Sequence, residues 1–202
     1  MLDFERVGEG VVNITPFPYM VVEDVIVGDQ LSAVVRDFPQ VRHPGSIPLG
    51  EARGGGAFAR LVADLNSARF RQLMAAKFAL DLADKPVLTT VRGVMRAKDG
   101  CAHTDSATKV LTVLVYFNQS WHGQDGCLRI LRSGDLEDWV AEIPPRQGTM
   151  VAFAVTKNCW HGHKPVVGRR LSLQMNYLSG SGVKYKHQFF HGLSARLKQL
   201  AP

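Results

Sequence analysis

Five short β-prone runs follow Pro86, and they constrain the fold of the chain more than any other feature. They are residues 87–95, 109–117, 127–131, 149–155 and 170–177. Glycine, asparagine, aspartate and proline separate them, as over residues 118–126 and at Pro144 and Pro145. Many short strands divided by turn residues are typical of β-sandwiches and barrels. We therefore predict a mainly β chain with a double-stranded β-helix, or jelly roll, over about residues 87–178.

The chain ahead of Pro86 has a different periodicity. A short strand within residues 17–27 leads into a helix over residues 30–38, and apolar residues recur at helical spacing over residues 57–82. Asn66 and Ser67 supply the N-cap of a second helix in this stretch. Together these elements predict a helical N-terminal support over residues 28–82, packed on one face of the jelly roll.

Two further segments complete the predicted organisation of the chain. Residues 39–56 are rich in proline and glycine, which is typical of a connecting loop or of a lid over a site. The tail predicts a helix over about residues 188–200, with one apolar side formed by Phe189, Leu193, Leu197 and Leu200. That side packs in the core or, alternatively, contacts a second copy in a homodimer. A length of 202 residues suits a single domain, so we predict one domain over residues 1–202.

Composition narrows the class of protein. Apolar residues make up 46% and charged residues 21%, as in ordinary globular proteins. No run of about eighteen apolar residues and no charged-then-apolar leader is present, so neither membrane insertion nor export is indicated. The three cysteines form no C-x-x-C pair, which argues against a disulfide framework and favours a reducing cytoplasm. The net charge of +6 would suit an acidic partner, but the basic residues are scattered and do not indicate nucleic acid.

A histidine and an aspartate two residues apart stand directly before one of the β-prone runs. In extended chain His103 and Asp105 point to the same side, so both can bind one metal ion. A third ligand is available farther along, where His161 and His163 are both candidates. Two histidines and one carboxylate on one side of a metal form the facial triad of non-haem Fe(II) oxygenases.

A basic residue and a hydroxyl follow this histidine pair. Arg170 lies nine residues after His161, and Ser172 shares its strand face. A buried guanidinium binds a carboxylate through two parallel hydrogen bonds, and a nearby hydroxyl can add a third. Alternatively, Arg169 and Arg170 form the solvated end of a hairpin.

Taken together, these segments resemble a known family. From about residue 91 to residue 177 the chain is similar to the prolyl-hydroxylase-like branch of the 2-oxoglutarate and Fe(II)-dependent oxygenases. The matching segments follow the family's order: His103-Thr104-Asp105, 111–118, 126–131, 148–153, Trp160-His161 and Arg170-Leu171-Ser172.

The resemblance implies roles for six residues. His103, Asp105 and His161 take the places of the iron ligands, and the spacing to Arg170 selects His161 over His163. The family's R-x-S pattern selects Arg170 over Arg169 for the distal carboxylate of 2-oxoglutarate, with Ser172 as a helper hydroxyl. The resemblance also places Tyr116 on this carboxylate, although a core aromatic is an equal alternative. Arg96 is a further candidate for the mouth of the site.

The resemblance implies an Fe(II)-dependent dioxygenase that uses 2-oxoglutarate and O₂ and hydroxylates a C–H bond, with release of succinate and CO₂. The compact chain, which lacks added binding modules, favours a small-molecule or carbohydrate-like substrate. A protein side-chain hydroxylase of the prolyl type, and a cupin-type metalloenzyme that does not use 2-oxoglutarate, are the alternatives.

Overall fold

A computed structural model of the chain describes residues 1–180. The predicted C-terminal helix, about residues 188–200, lies outside the described residues, and so does its suggested role in a homodimer. Within residues 1–180 no helix is both long and apolar enough to cross a membrane.

Four α-helices precede the main strands: α1 Phe4–Glu9, α2 Gly28–Arg36, α3 Gly56–Leu65 and α4 Ala68–Phe78. The Oγ of Ser67 accepts a hydrogen bond from the N–H of Phe70, as an N-cap residue should, and this confirms the predicted start of α4. The predicted helices over residues 30–38 and 57–82 are confirmed, although α4 ends where Ala79 adopts a left-handed conformation with φ of 51°. Helix α1, which has only six residues, was not predicted.

The strands form two antiparallel sheets. The larger sheet has the order β1-β2-β8-β5-β10-β4-β3. Its strands are β1 Val12–Asn13, β2 Tyr19–Val22, β3 Ile47–Pro48, β4 Val87–Met95, β5 Lys109–Tyr116, β8 Met150–Ala154 and β10 Gly168–Leu178. The smaller sheet has the order β7-β6-β9, from β6 Leu128–Leu131, β7 Trp139–Ile143 and β9 His161–Gly162.

Side chains of the central strands point alternately to two faces of the larger sheet: a core face, which packs on the helices, and a site face, which points to the smaller sheet. On β10, Leu171, Leu173 and Met175 pack in the core that the larger sheet shares with the helices. The residues between them point to the opposite face, toward the smaller sheet. The predicted jelly roll with helices on one face is thus confirmed, and the five predicted strands are all present within one or two residues of their predicted ends.

The segment over residues 39–56 departs from the prediction of a connecting loop or lid. It contains β3, whose Ile47 and Pro48 pair with Val91 and Thr90 of β4, and a 3-10 turn at Leu49–Glu51. A proline within a strand is tolerated at a sheet edge, where its missing N–H leaves no ladder bond unmade. The same proline made the sequence look like a loop, so the prediction was wrong for this part of the segment.

Candidate active site

His103 and His161 are brought together by their own backbones. The N–H of His103 donates to the carbonyl of His161 at 2.9 Å, and the N–H of His161 donates to the carbonyl of His103 at 2.9 Å. This reciprocal pair is the closely spaced unit of an antiparallel ladder. It places the two imidazole rings 4.4 Å apart, centroid to centroid. One ligand atom from each of His103, Asp105 and His161 lies within 4.8 Å of the others.

Backbone carbonyls orient both imidazoles. Nδ1 of His103 lies 3.0 Å from the carbonyl oxygen of Cys101, and Nδ1 of His161 lies 2.8 Å from that of Cys159. Since a carbonyl only accepts, Nδ1 donates a hydrogen in each ring, and Nε2 is the nitrogen that is available to a metal. Burial, followed by the charge of His103, lowers the pKa of His161 to about 4, so this ring is neutral at neutral pH.

Asp105 is held as a carboxylate by two neighbours on β5. Its Oδ1 accepts from the ammonium of Lys109 at 2.6 Å, and its Oδ2 accepts from the hydroxyl of Thr112 at 2.6 Å. Burial alone would raise the pKa of Asp105, but the charge of Lys109 and these hydrogen bonds outweigh it and lower the pKa. Neutral imidazoles and an ionised carboxylate are the protonation states that metal binding requires.

Arg170, Ser172 and Tyr116 meet at the other end of the site. Nε of Arg170 donates to the carbonyl of Gly126 at 2.8 Å, and Nη2 lies 3.4 Å from the hydroxyl oxygen of Tyr116. Ser172 on β10 pairs directly with Tyr116 on β5. Burial raises the pKa of Tyr116 despite the opposing charge of Arg170, so its hydroxyl stays protonated and can donate. The arrangement offers a buried cation and two hydroxyls to a carboxylate.

The two competing residues are placed differently. His163 lines the same cavity, with its Nδ1 2.8 Å from the carbonyl oxygen of Lys164, but it is not part of the three-residue cluster. Arg169 is exposed and lines a separate groove beside Asn118 and Trp121. The geometry thus groups His161 and Arg170 with the other predicted site residues, in preference to their neighbours.

His103 and His161 line a cavity of about 140 Å³ between the two sheets, together with Tyr116, Arg170 and Ser172. Its walls include residues that the sequence did not single out, among them Ser46, Thr90, Arg92 and Gln174. Lys109 and Thr112, the partners of Asp105, were also missed. A signal existed for some of them, because Thr90 and Arg92 are polar residues two apart in a β-prone run, as on a strand with a polar face. Arg96, the predicted residue of the mouth, instead binds Asp99, with Nη2 to Oδ1 at 3.4 Å.

Comparison with known proteins gives one family match. Residues 93–178 match the sequence profile of the 2OG-Fe(II) oxygenase superfamily, and this span contains all six predicted site residues. No curated protein sequence matches the chain.

Several solved structures share the fold. A prolyl-4-hydroxylase from Pseudomonas putida is 17% identical, with a TM-score of 0.56 over 81% of this chain and 93% of that one. A prolyl 4-hydroxylase from Phytophthora capsici is 15% identical, with a TM-score of 0.60 over 88% of this chain and 66% of that one. A prolyl hydroxylase from Trichoplax adhaerens, in complex with a peptide fragment of hypoxia inducible factor, is 17% identical, with a TM-score of 0.57 over 87% and 90%. At these identities the likeness establishes the fold.

Proposed function

We propose that the chain is a 2-oxoglutarate-dependent oxygenase that hydroxylates a C–H bond of a small-molecule or carbohydrate-like substrate. The match of residues 93–178 to the 2OG-Fe(II) oxygenase superfamily supports the oxygenase activity. The cosubstrates are 2-oxoglutarate and O₂, and the coproducts are succinate and CO₂. The observation that carries the proposal is the cluster of His103, Asp105 and His161 beside the buried guanidinium of Arg170.

The cluster fits Fe(II). Two imidazoles and one ionised carboxylate are the donor set of the 2-His-1-carboxylate sites that hold Fe(II) in non-haem oxygenases. In this proposal His103, Asp105 and His161 hold the ion, while the Cys101 and Cys159 carbonyls fix the rings. When bound, ferrous iron with 2-oxoglutarate and O₂ supplies the oxidising chemistry, which the side chains of the protein cannot.

The remaining residues position the cosubstrate. Arg170 binds the distal carboxylate of 2-oxoglutarate, Tyr116 donates its hydroxyl proton to the same carboxylate, and Ser172 adds a hydroxyl from the neighbouring strand position. Because Arg170 and Tyr116 are both buried, this carboxylate is held away from water, where a charge-assisted hydrogen bond is strong. Fixing one end of the cosubstrate fixes the distance of its other end from the metal cluster.

In this proposal the cavity of about 140 Å³ holds 2-oxoglutarate itself, so its volume does not select between classes of substrate. A protein side-chain hydroxylase of the prolyl type is the alternative, since the fold is shared with a prolyl hydroxylase bound to a peptide. Fold does not determine substrate, however. The match of residues 93–178 to the 2OG-Fe(II) oxygenase superfamily argues against the cupin-type alternative without 2-oxoglutarate.

Three broader properties are part of the proposal. We propose that residues 1–202 form one domain and that the protein works in a reducing cytoplasm, which the free thiols of Cys101, Cys127 and Cys159 support. Homodimer formation through the tail stays a prediction.

Succinate formation with a substrate panel tests the proposal. The protein is incubated with Fe(II), 2-oxoglutarate and O₂, together with sugars, sugar acids, sugar phosphates, amino acids or proline-containing peptides. We expect a small molecule to raise succinate formation above the substrate-free rate, with a matching hydroxylated product. Stimulation by peptides alone would contradict the proposed substrate class and favour the prolyl-type alternative.

A further inference from the structure

Arg92 is a second arginine in the cavity. It lies on β4 directly opposite Ser172 of β10, which in turn pairs with Tyr116 of β5. Directly opposed residues of neighbouring strands project from the same face of a sheet. The three side chains therefore form one row across the site face, and Arg92 and Arg170 both line the cavity.

Neither guanidinium has an acidic partner in the described part of the chain. Among residues 1–180, every ion pair within 4.0 Å involves other basic groups. The nearest candidate, Asp99, is bound by the backbone N–H and the guanidinium of Arg96. Burial lowers the pKa of Arg92, the charge of Asp99 opposes this, and the charge of Arg170 lowers it further. Two partly desolvated cations without a counter-charge are costly, and bound anions would offset that cost.

The two guanidiniums are directed to different sides of the cavity. Arg170 is fixed by the carbonyl of Gly126 and approaches the hydroxyl of Tyr116 on β5. Nη2 of Arg92 instead donates to the hydroxyl of Ser46 at 3.1 Å, on the segment that runs along the far edge of β4. Because the guanidiniums of Arg92 and Arg170 have different partners, they are poorly placed to bind one carboxylate together. Two separate anions suit this arrangement better.

The cosubstrate supplies only one of these anions. On the proposed function, one carboxylate of 2-oxoglutarate lies at the iron and the other on Arg170, so no charge of the cosubstrate is left for Arg92. We propose that Arg92, with Ser46, binds an anionic group of the substrate that is oxidised, either a carboxylate or a phosphate. The substrate class is thereby narrowed to acidic small molecules, such as a sugar acid or a sugar phosphate. This inference rests on the proposed function and deepens it.

Anion binding to the loaded protein tests the inference. The wild-type protein, saturated with Fe(II) and 2-oxoglutarate under anaerobic conditions, is titrated calorimetrically with inorganic phosphate and, separately, with acetate. The same titrations are made with Arg92→Gln, with Arg92→Lys, and with Arg169→Gln as the matched control at an exposed arginine. The visible band of the iron–2-oxoglutarate complex is recorded for every protein, and the affinity for 2-oxoglutarate is measured from it.

We expect the wild-type protein to bind at least one of the two anions, and the identity of that anion distinguishes a carboxylate from a phosphate. Arg92→Gln should weaken this binding about 30-fold, as expected when one partner of a desolvated charge pair is removed. Arg92→Lys should lose less anion affinity because it keeps the positive charge, and Arg169→Gln should bind the anion as the wild type does. All variants should keep their affinity for 2-oxoglutarate.

Three results would overturn the inference. The first is a wild-type protein that shows the band but binds neither anion, which decides the matter without any variant. The second is equal anion binding by Arg92→Gln and the wild type. The third is a loss of 2-oxoglutarate affinity in a folded Arg92→Gln protein, which would place Arg92 on the cosubstrate instead. A wild-type protein without the band would contradict the proposed function itself, so the two failures are distinguishable.

Discussion

The two ends of the cavity are built in different ways. At the metal end, His103 and His161 come from two short segments joined by three backbone hydrogen bonds, and His103 is exposed. At the carboxylate end, Arg170, Ser172 and Tyr116 stand on long central strands and are buried. The first end is held by a few hydrogen bonds to its ligands, whereas the residues of the second end lie within the sheet.

The two ends of the cavity therefore depend on different contacts for the positions of their residues. The position of His161 relative to His103 is set by their two mutual hydrogen bonds, by a third from the N–H of His163 to the carbonyl of Gly100, and by the pairing of His161 with Ile130 on β6. At the carboxylate end, Ser172 and Tyr116 begin a register of six consecutive residue pairs between β10 and β5, and Arg170 lies two residues before Ser172 on β10. We therefore expect the metal end to respond to changes in a few ligands and their partners, and the carboxylate end to tolerate single changes without moving.

The largest expected effect is at the metal end. Asp105→Ala removes the only carboxylate of the metal cluster, so iron binding and succinate formation should fall to background. Metal content after reconstitution with Fe(II) and the rate of succinate release measure this. Asp125→Ala, at an exposed aspartate, is the matched control and should behave as the wild type does. Full iron content in Asp105→Ala would show that Asp105 is not a metal ligand.

The next effect should appear at the carboxylate end. Arg170→Gln removes the buried cation that binds the cosubstrate, and a loss of about 3 kcal/mol corresponds to an increase of about 100-fold in the KM for 2-oxoglutarate. Iron content should not change, because Arg170 belongs to the sheet and not to the metal cluster. Steady-state kinetics with varied 2-oxoglutarate check the first result, and metal analysis checks the second. If iron content falls with the affinity for 2-oxoglutarate, the two ends are not independent.

A smaller effect is expected from the residues that support the metal ligands. Lys109→Met removes the ammonium that lies 2.6 Å from Asp105, and loss of such a partner typically costs about tenfold or more in metal affinity. The pKa of Asp105, now held low by Lys109, should rise. Because the carboxylate must be ionised to bind iron, binding should then be lost at a higher pH on acidification than in the wild type. Iron affinity measured against pH, with a competing chelator, tests this; superimposable curves would contradict it.

The smallest effect should come from a single hydroxyl. Tyr116→Phe keeps the buried ring and removes one donor, so the KM for 2-oxoglutarate should rise about fivefold, the value of one hydrogen bond of about 1 kcal/mol. The kcat should change less than the KM. An unchanged KM would support the alternative that Tyr116 is only a core aromatic, and would reduce the carboxylate end to Arg170 and Ser172.

The same contrast explains how far the sequence predicted the site. His103 and Asp105 are two residues apart, and the His161 segment carries its own spacing to Arg170, so the residues grouped at the metal end were visible in the sequence. The five main strands were visible as well, because alternation and turn residues are local signals. The role of His103, Asp105 and His161 as metal ligands stays a prediction that the experiments above address.

Other parts depend on pairing between distant segments, and a local polar pattern alone does not place them in the site. Arg92 enters the site because β4 pairs with β10 in the register that places it opposite Ser172. Ser46 enters because the segment that contains it adds a short strand at the edge of β4, where Pro48 suggested a loop. Sequence spacing pointed to Arg96 on the strand before the motif, whereas the register selects Arg92, four residues earlier.

The central claim is that His103, Asp105 and His161 bind the iron to which 2-oxoglutarate attaches. Its most direct test is the weak visible charge-transfer band of the protein with Fe(II) and 2-oxoglutarate in the absence of oxygen. The account predicts that the wild type and His163→Ala show the band and that His161→Ala does not. No band in the wild type, or a band that survives in His161→Ala and disappears in His163→Ala, would contradict it.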